Sequence, residues 1–513
     1  MPVSVQFSLN PEAAHQEEVL VEHARRLSGL PHGRVVLRKK SLDARKKNRI
    51  CYLLQADVYD HDELPVKQAG FAGRNVQHAP EVHIIGFGPA GMFAALQLIE
   101  DGFKPVVLER GKKVRERRRD LAEICRNGPV PPDSNYCFGE GGAGTYSDGK
   151  LYTRSSKRGN VAKVLQAFID HGAHADIAYE AHPHIGTNKL PDIVSSIRDY
   201  IEACGGEVHF NSRLDGLELN SASVRTLLMH GGLRIPVRRV LLCTGHSARD
   251  IFSMLHHAGI PLEAKPFALG IRIEHPQALI DQIQYHCDAR GPYLPPSSYS
   301  LVEQSLGRGV FSFCMCPGGI IAPAATAPGE VVVNGWSPSK RNNPFANSGF
   351  VAGVDEPDFQ PFAAHGPLRA MQFQAHWEQK AFAVSGSLSA PAQRLEDFIQ
   401  GKNSARLPEC SYLPGVISAD MREVLPPQVS KSIREALIMI GKKMPAYRSN
   451  EALMVGVESR TSSPVRIPRT KDTLQHPSIA NLFPCGEGAG YAGGIVSAAL
   501  DGIRVAQLAI KDL

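Results

Sequence analysis

Apolar and polar positions follow two different periods along this chain, and these periods divide it into structural segments. Residues 82–85 form a short apolar run, which predicts a buried strand. Apolar residues recur at helical spacing over residues 92–99, and Gly102 stands where a helix C-cap is expected. Residues 105–108 form a second apolar run. The segment therefore predicts a strand, a turn, a helix and a second strand, in that order.

The pattern predicts an α/β protein with three parts. Residues 1–78 have the features of a small α/β domain. Residues 79–260 and 446–513 have those of a Rossmann-like, nucleotide-binding domain. Residues 261–445 combine short strand-like runs with longer helical patterns, which predicts an inserted α+β substrate domain. We expect the sheet of this inserted domain to cover one side of a bound cofactor.

The N-terminal domain contains a basic segment. Helical spacing over residues 17–30 precedes strand-like runs at 34–38 and 50–58, and residues 39–49 between these runs are rich in Lys and Arg. Such a loop could contact an anionic partner, including RNA. No aromatic residues interleave with the charges, so we favour a solvated hairpin loop and do not expect a nucleic-acid partner.

The first turn carries the G-x-G-x-x-G fingerprint in its required strand–turn–helix context. The first glycine permits the tight turn, the second lets the backbone approach a pyrophosphate, and the third lets helix and strand pack closely. A proline suits the first helical turn, whose free N–H groups face phosphates. The cofactor-binding residues predicted here are Gly86, Gly88, Pro89, Ala90 and Gly91.

An acidic residue follows the second strand. Glu109 lies 23 positions after Gly86, where a carboxylate accepts hydrogen bonds from an adenosine ribose. The same carboxylate disfavours a 2′-phosphate, so NADP is not expected at this site. Arg110 begins a basic stretch, residues 110–119, which predicts either a solvated helix face or arginines near the cofactor phosphates.

Two further segments are predicted at the cofactor. Residues 137–151 include five glycines, and this density lets the backbone approach a flat ligand or phosphates. A predicted strand over residues 237–243 runs into a Thr-Gly pair at the carboxyl edge of the sheet, where α/β proteins bind ligands. The predicted binding residues are Gly142, Ser147, Asp148, Lys150, Thr244 and Gly245.

The C-terminal segment, residues 481–502, favours a flavin. A short strand leads to Gly486 and Glu487, and a carboxylate in this position can bind ribityl hydroxyls. A helix beginning near Gly494 and Ile495 would face the pyrimidine end of the isoalloxazine, and its dipole would favour the anionic reduced form by ~0.3–1 kcal/mol. This closure predicts non-covalent FAD.

These motifs resemble those of a known group. The chain resembles the FAD-dependent dehydrogenases of the glutathione-reductase-type, two-dinucleotide-fold superfamily. It resembles more closely the bacterial FAD-dependent oxidoreductases that have an extra N-terminal domain. The resemblance extends over nearly the whole chain and implies FAD, but no particular reaction. Its motifs read GFGPAGMFAAL (86–96), GEGGAGTYSDGKL (139–151), HPHIGTNKL (182–190), CTGHSARD (243–250), KPFALGIRIEHPQ (265–277), FCMCPGG (313–319), ESRTSSPVRI (458–467) and FPCGEGAGYAGGIVSAALDG (483–502).

The superfamily's second fingerprint, which binds NAD(P)H in disulfide reductases, is missing from the sequence, as is a Cys-x4-Cys pair near the first helix. A disulfide-reductase relay is therefore not expected. Electrons would come from a transient donor, such as NAD(P)H, or from the substrate itself. In the C-terminal motif, Glu487 stands where the superfamily often has Asp.

Cys314 and Cys316 are candidate catalytic residues. Residues i and i+2 of a strand face the same side, so two thiols facing the flavin would be redox partners or a nucleophile. We favour the structural alternative, in which they are small apolar strand residues. A lone C-x-C lacks further ligands at metal-site spacing, so no metal is expected.

Four other side chains are weighed as catalytic or substrate-binding groups. His275 and His246 each follow a predicted strand and are candidate acid–base residues, although histidine more often has a structural role. Arg460 and Arg466 could bind a substrate carboxylate or the flavin, and salt bridges within the fold are the alternative.

Composition sets broad limits. The 513 residues are 43% hydrophobic, and the net charge of +6 does not require nucleic acid or membrane. No long apolar run predicts a membrane span, and residues 1–18 lack a signal-peptide pattern. With ten scattered cysteines, this favours a reduced, cytoplasmic compartment. The oligomeric state stays open.

Two classes of function remain. The first is an FAD-dependent oxidoreductase that transfers hydride between flavin and a small-molecule organic substrate, as a dehydrogenase or a reductase; flavin-dependent hydroxylation with oxygen is its near relative. The second is a flavin-bearing, RNA-interacting or regulatory protein that uses the basic N-terminal domain.

Overall fold

The N-terminal domain is an antiparallel sheet with one helix. The computed structural model describes residues 1–46, 49–65, 68–153 and 159–511. The strands lie in the order β1-β3-β2, and Ala24 of the helix is fully buried. The elements are β1 (Val3–Leu9), α1 (Glu17–Ser28), β2 (Arg34–Asp43) and β3 (Cys51–Tyr59).

The predicted basic loop of this domain is shorter than expected. Residues 39–43 continue β2, because they pair with β3 through a bulge after Leu37. Several charges of this region are paired: Arg38 with Asp57 at 2.7 Å, and Lys40 with Glu180 of the next domain at 3.8 Å. Lys47 and Asn48 of the predicted loop lie outside the described residues.

The second part of the chain begins with alternating strands and helices, as the apolar pattern predicted. Its helix α5 begins after Lys189, which is the N-cap residue. The elements are β4 (Glu81–Ile85), α2 (Pro89–Glu100), β5 (Lys104–Leu108), α3 (Val114–Cys125), α4 (Val161–Asp170), α5 (Leu190–Ala203), β6 (Glu207–His209), β7 (Leu214–Asn220), β8 (Ser223–Met229), β9 (Arg234–Pro236), β10 (Val240–Leu242) and α6 (Arg249–His257).

The inserted domain follows and contains a large mixed sheet. Its elements are β11 (Glu263–Ala264), β12 (Phe267–Pro276), α7 (Gln277–Tyr285), β13 (Val302–Ser305), β14 (Arg308–Cys316), β15 (Ile320–Pro323), β16 (Val333–Trp336), β17 (Phe345–Val354), α8 (Glu356–Phe359), α9 (Arg369–Ala383), β18 (Ala390–Arg394), α10 (Leu395–Gln400), β19 (Val416–Ser418), α11 (Pro427–Lys443), β20 (Leu453–Glu458) and β21 (Val465–Arg466).

The large sheet has the order β13-β14-β17-β12-β20-β18-β19, and it corrects the expected domain boundary. Strand β20 pairs with both β12 and β18, so the inserted domain extends to Glu458 and does not end at residue 445. The chain then returns to the sheet that contains β4 and β10 through β22 (Leu482–Pro484), and α12 (Ile495–Ala509) follows.

The nucleotide-binding domain is a parallel sheet in the order β22-β10-β4-β5-β6. Helices α2 and α12 pack closely, since a Cβ at Gly502 would overlap the Ala90 carbonyl oxygen. This brings the N-termini of both helices to the carboxyl edge of the sheet. Strands β7, β8 and β9 form a separate small sheet. Within the described part of the chain, no helix is both long enough and apolar enough to cross a membrane.

Candidate cofactor site and active site

A cavity of about 410 Å³ lies at the carboxyl ends of β4 and β10. Ile85 and Cys243 line it from the nucleotide-binding domain, while Phe313, Cys314 and Asn334 line it from the inserted domain. Parallel sheets bind ligands at this edge. The cavity is therefore lined by both the nucleotide-binding domain and the inserted domain.

Two helices direct their N-termini at the cavity. Helix α2 begins after Gly88 and α12 begins after Gly494, and neither helix has a side-chain hydrogen bond at its N-cap. Gly88, Pro89, Gly494 and Ile495 all line the cavity. The free N–H groups of both first turns are thus available to phosphate or carbonyl oxygens.

The fingerprint glycines have distinct steric environments. Gly86 has φ +99°, and a Cβ there would lie 2.8 Å from the Cys243 carbonyl oxygen. A Cβ at Gly91 would overlap the Gly86 carbonyl oxygen, so this glycine permits the close packing of α2 against the turn. Ala90 and Gly91 lie behind the turn, outside the cavity lining.

Glu109 holds the loops around the cavity together. Its carboxylate is 5% exposed and accepts three backbone hydrogen bonds: from Phe87 N at 2.8 Å, and from Gly111 N and Gly139 N at 2.9 Å each. A carboxylate has about four acceptor positions, so one remains for a ribose hydroxyl. Glu109 also lines the cavity.

Arg117 supports the glycine-rich loop and was missed by the sequence analysis, which favoured a solvated face for residues 110–119. Its guanidinium is fully buried and donates to the carbonyl oxygens of Asn135, Tyr136 and Glu140. Arg110 lines the cavity and pairs with Asp133 and Asp250.

The polar atoms of the β10 loop provide a test of whether a cofactor fits. Thr244 Oγ1, His246 Nδ1 and Ser247 Oγ are buried, and their residues line the cavity with Gly245. None of these three atoms has a hydrogen-bond partner among the residues that the structure describes. Because buried polar atoms are normally paired, these atoms suit a ligand rich in hydroxyl and carbonyl groups.

Three lining glycines fit the same ligand. Around Cβ atoms built at Gly245, Gly493 and Gly494, no described atom lies within 4 Å apart from the glycine itself and its chain neighbours. The missing side chains therefore leave cavity volume for a ligand. Gly486 lies outside the lining, and its N–H donates to Asp501 at 2.8 Å.

Glu487 and His246 face each other across the α12 end of the cavity. His246 Nε2 lies 3.8 Å from Glu487 Oε2, and Glu487 Oε1 accepts a hydrogen bond from Gly494 N. Burial raises the pKa of Glu487. Burial and the charges of Arg460 and Lys265 lower the pKa of His246 to about 4. His246 is therefore neutral at neutral pH, with Nδ1 free to bind a proton.

Ser147, Asp148 and Lys150 of the glycine-rich loop line the cavity but also make bonds within the protein. Ser147 donates to the Gly144 carbonyl oxygen at 2.8 Å. Asp148 is almost fully buried, accepts from Ser337 and pairs with Arg341 at 3.0 Å. Asp148 therefore connects the loop to the inserted domain, and Gly142 is the loop glycine next to Gly88.

Lys150 reaches past the loop to strand β14. Its Nζ lies 3.8 Å from Cys314 Sγ and 3.9 Å from Cys316 Sγ, and it donates to the Met315 carbonyl oxygen between them. Strand β14 has a bulge here, and Cys314 has φ +46°. In a regular strand both thiols would face the same side, but the bulge places them differently. Cys314 lines the cavity, and Cys316 is fully buried behind it.

Arg272 lies behind the bulge and was not expected at the site. It is fully buried, and its guanidinium bonds Glu458 at 2.8 Å, Asn347 at 2.6 Å and the Cys314 carbonyl oxygen at 3.3 Å. Two cations, Arg272 and Lys150, therefore approach Cys314 from different elements.

Two sequence candidates have positions that argue against direct catalysis. His275 lies outside the cavity lining and is fully buried, and its Nε2 lies 2.9 Å from the Tyr447 carbonyl oxygen. Arg460 touches the cavity, but its guanidinium is bound by Glu378, Glu330 and Thr326. Both have the structural roles that the sequence analysis weighed as alternatives.

Several lining residues were missed by sequence reasoning. Tyr136 stands directly beside the glycine-rich segment, and Phe313 and Thr461 lie within quoted motifs, so their positions gave a usable signal. Residues on other elements carried no local signal, because only the tertiary fold brings them to the cavity. These additional residues are Ser212, Arg213 and Asn334.

The chain is similar to several known proteins. Residues 266–461 match the family "FAD-dependent protein, C-terminal domain-like", and residues 1–59 match a domain of unknown function. A protein of Clostridium beijerinckii described as "Uncharacterized protein" is 40% identical over 494 residues, covering 92% of this chain and 91% of that protein.

Similar solved structures include CtdE in complex with FAD (TM-score 0.32, 12% identity, 84% of this chain and 83% of that chain). Others are 2-methyl-3-hydroxypyridine-5-carboxylic acid oxygenase (TM-score 0.34, 11% identity, 85% and 84%) and the amino acid oxidase NikD (TM-score 0.33, 13% identity, 85% and 95%). The cofactor of this chain is FAD, as the match to the FAD-dependent family indicates and as the donors and acceptors of the cavity allow.

Proposed function

Because this chain belongs to the same family as the Clostridium beijerinckii protein and contains an FAD-dependent domain, we propose that it is an oxidoreductase transferring hydride between FAD and a small organic substrate. One observation carries the proposal. A single cavity is lined by the nucleotide-binding turn and by groups suited to proton and charge transfer, namely His246, Lys150 and Cys314.

The chain provides distinct positions for the parts of the cofactor. The α2 N-terminus suits the pyrophosphate, and the remaining acceptor position of Glu109 suits the adenosine ribose. Glu487 and the α12 N-terminus suit the ribityl and pyrimidine groups. FAD, when bound, supplies the two-electron chemistry that these side chains lack.

His246 is the group we assign to proton transfer. It is neutral at neutral pH because burial lowers its pKa to about 4, and its Nδ1 has no partner among the described residues. A neutral imidazole with a free nitrogen can accept a proton from a substrate hydroxyl or amine. Glu487, 3.8 Å away, stabilises the imidazolium that results.

The inserted domain limits access of water. Phe313 and Asn334 of the inserted domain line the cavity opposite the nucleotide-binding domain. Arg341 of the inserted domain pairs with Asp148, and this ion pair connects the inserted domain to the glycine-rich loop. Excluding water strengthens electrostatic interactions inside the site and protects the transferred hydride.

The test is anaerobic reduction of the FAD-loaded protein by NADH, NADPH and a panel of hydroxy acids, amino acids and other metabolites, followed by readmission of oxygen. We expect bleaching of the flavin by one class of donor. His246→Gln should slow that reduction by roughly 10²–10⁴-fold, in the range typical of a lost general base. His257→Gln, an exposed residue of α6, is the matched control. Equal rates in His246→Gln and the unmodified protein would contradict the assignment of His246.

Failure of every donor to reduce the flavin, in a protein that binds FAD, would contradict the hydride-transfer proposal. Consumption of substrate only after oxygen is readmitted would instead indicate a hydroxylase, the near relative considered in the sequence analysis.

A further inference from the structure

Strand β14 presents one thiol to the cavity and a second thiol directly behind it. Cys314 lines the cavity, whereas Cys316 has no exposed surface. Lys150 Nζ lies within 3.9 Å of both sulfur atoms. Cys316 Sγ is 3.3 Å from the Cys314 carbonyl oxygen. Both thiols therefore share one cation, and Cys316 Sγ also contacts the backbone of Cys314.

The backbone between the two cysteines is bent. The register of β14 against β17 shifts between Phe313 and Cys316, and Cys314 has a left-handed φ of +46°. A non-glycine residue in this region is uncommon, and such residues cluster at functional sites. The bulge replaces the extended path of a regular strand, so that Cys314 faces the cavity while Cys316 stays within reach behind it.

The pKa values of the two thiols shift in opposite directions. Hydrogen bonding from Cys316, together with the charges of Lys150 and Arg272, lowers the pKa of Cys314 well below its usual range, although burial and the charge of Asp148 oppose this shift. Hydrogen bonding to Cys314 and burial raise the pKa of Cys316 well above its usual range. The surroundings therefore favour the thiolate, which is the nucleophilic form, at Cys314 and the protonated thiol at Cys316.

Arg272 gives this arrangement a fixed positive charge. It is fully buried and bonded by Glu458, so it cannot move away from the Cys314 carbonyl oxygen without losing that partner. A buried ion pair costs desolvation free energy and is weak evidence for stability alone. A chemical role for the Cys314 thiolate would explain why the Arg272–Glu458 ion pair lies beside this thiol.

We propose that Cys314 and Cys316 form a redox-active dithiol that exchanges two electrons with FAD. In the oxidising direction, the Cys314 thiolate and the Cys316 thiol form a disulfide and release two electrons and one proton, which FAD accepts. In the other direction, reduced FAD returns the two electrons and the proton, and the disulfide opens. The inference rests on the proposed function in requiring FAD in the cavity, and it gives the site a second two-electron store. It also reverses the preference for structural cysteines drawn from the sequence.

The first test is an anaerobic dithionite titration of the FAD-loaded full chain after oxidation. We expect uptake of about four electrons per FAD, falling to about two in Cys314→Ser and in Cys316→Ala. Cys287→Ser, in a half-buried cysteine outside the cavity lining, should stay at about four. Uptake of two electrons by the unmodified protein would overturn the proposal.

The second test needs no variant and no turnover. Residues 309–340 contain no Lys or Arg before Lys340, so trypsin releases both thiols in one peptide that has no other cysteine. After oxidation with diamide and alkylation, we expect this peptide to be unalkylated and lighter than the reduced form by two hydrogens. A doubly alkylated peptide from the oxidised protein would contradict the dithiol, even if the protein were active with a metabolite.

A pH profile tests the positioning role of Lys150. The alkylation rate of Cys314 at neutral pH should fall at least tenfold in Lys150→Met, because removal of the cation raises the pKa of the thiol. If the alkylation rate of Cys314 depends on pH in Lys150→Met as it does in the unmodified protein, the positioning role of Lys150 is refuted. If no metabolite reduces the flavin, the electron count and the peptide mass still report on the thiols, so failure of the proposed function is distinguishable from failure of this inference.

Discussion

Replacing Glu109 by Gln separates its structural role from its predicted contact with the cofactor. The carboxylate accepts backbone hydrogen bonds from Phe87, Gly111 and Gly139. In Glu109→Gln, the amide oxygen can keep the two bonds now made by Oε1, but the amide NH₂ then faces the Phe87 N–H.

The expected loss follows from these three bonds. A buried N–H left without an acceptor costs about 1–3 kcal/mol, and the two remaining bonds lose the assistance of the negative charge. We expect the free energy of unfolding to fall by about 2–4 kcal/mol. The loss of the ribose contact should weaken FAD binding by roughly ten- to hundred-fold, since charged hydrogen bonds contribute about 1.5–3 kcal/mol.

The assay is urea denaturation of the FAD-free protein, together with FAD titration by fluorescence. Removing FAD before denaturation matters because a bound ligand stabilises the folded state by mass action. Glu123→Gln, at an exposed carboxylate of α3, is the matched control and should change neither quantity. An unfolding midpoint equal to that of the unmodified protein would refute the structural argument, and an unchanged Kd would refute the ribose contact.

Three further predictions concern the cavity and its supports. Gly493→Ala should weaken FAD binding without changing the unfolding midpoint, because its Cβ would stand in open cavity volume; Gly494→Ala should also lower stability, since φ is +113° there. Burial lowers the pKa of His275 to about 4 from 6.5, so the stability that the neutral imidazole contributes is complete above pH 6.5 and is lost as the pH falls through 4. Urea denaturation at pH 5 should show a free energy of unfolding lower by about 2 kcal/mol, and His275→Gln should not show this loss. Arg460→Met should destabilise the fold by about 3–5 kcal/mol in the same assay, because it leaves buried Glu378 short of a partner; a smaller loss would show that the network compensates.

Much of the nucleotide-binding half was predictable, because its signals are local. The need for glycine at Gly91 involves only the adjacent turn and strand, because a Cβ there would overlap atoms of Gly86 and Ile84. The positions of α2, β5 and Glu109 then follow within a few residues. The sequence also predicted the beginning of α12 near Gly494 and Ile495, where the helix does begin.

Long-range pairing decided what the pattern could not. Strand β20 follows α11 in sequence, yet it lies between β12 and β18, so the domain boundary expected at residue 445 was too early. Residues 39–43 read as a loop from their charge, but pairing with β3 makes them a strand. In both cases backbone hydrogen bonding between distant segments outweighed local composition.

The sequence by itself determined the cofactor-binding turn, the glycine-rich closure at Gly494 and the residues to weigh as catalytic. Only the tertiary structure separated those candidates. His246 follows β10 and His275 lies near the end of β12, but only His246 lies at the cavity, whereas His275 is buried against Tyr447. The structure favours Cys314 as the reactive thiol because Lys150, which is distant in sequence, contacts it across the domain interface. Ionisation and reactivity depend on burial and on charges brought together by folding, and a linear pattern contains neither.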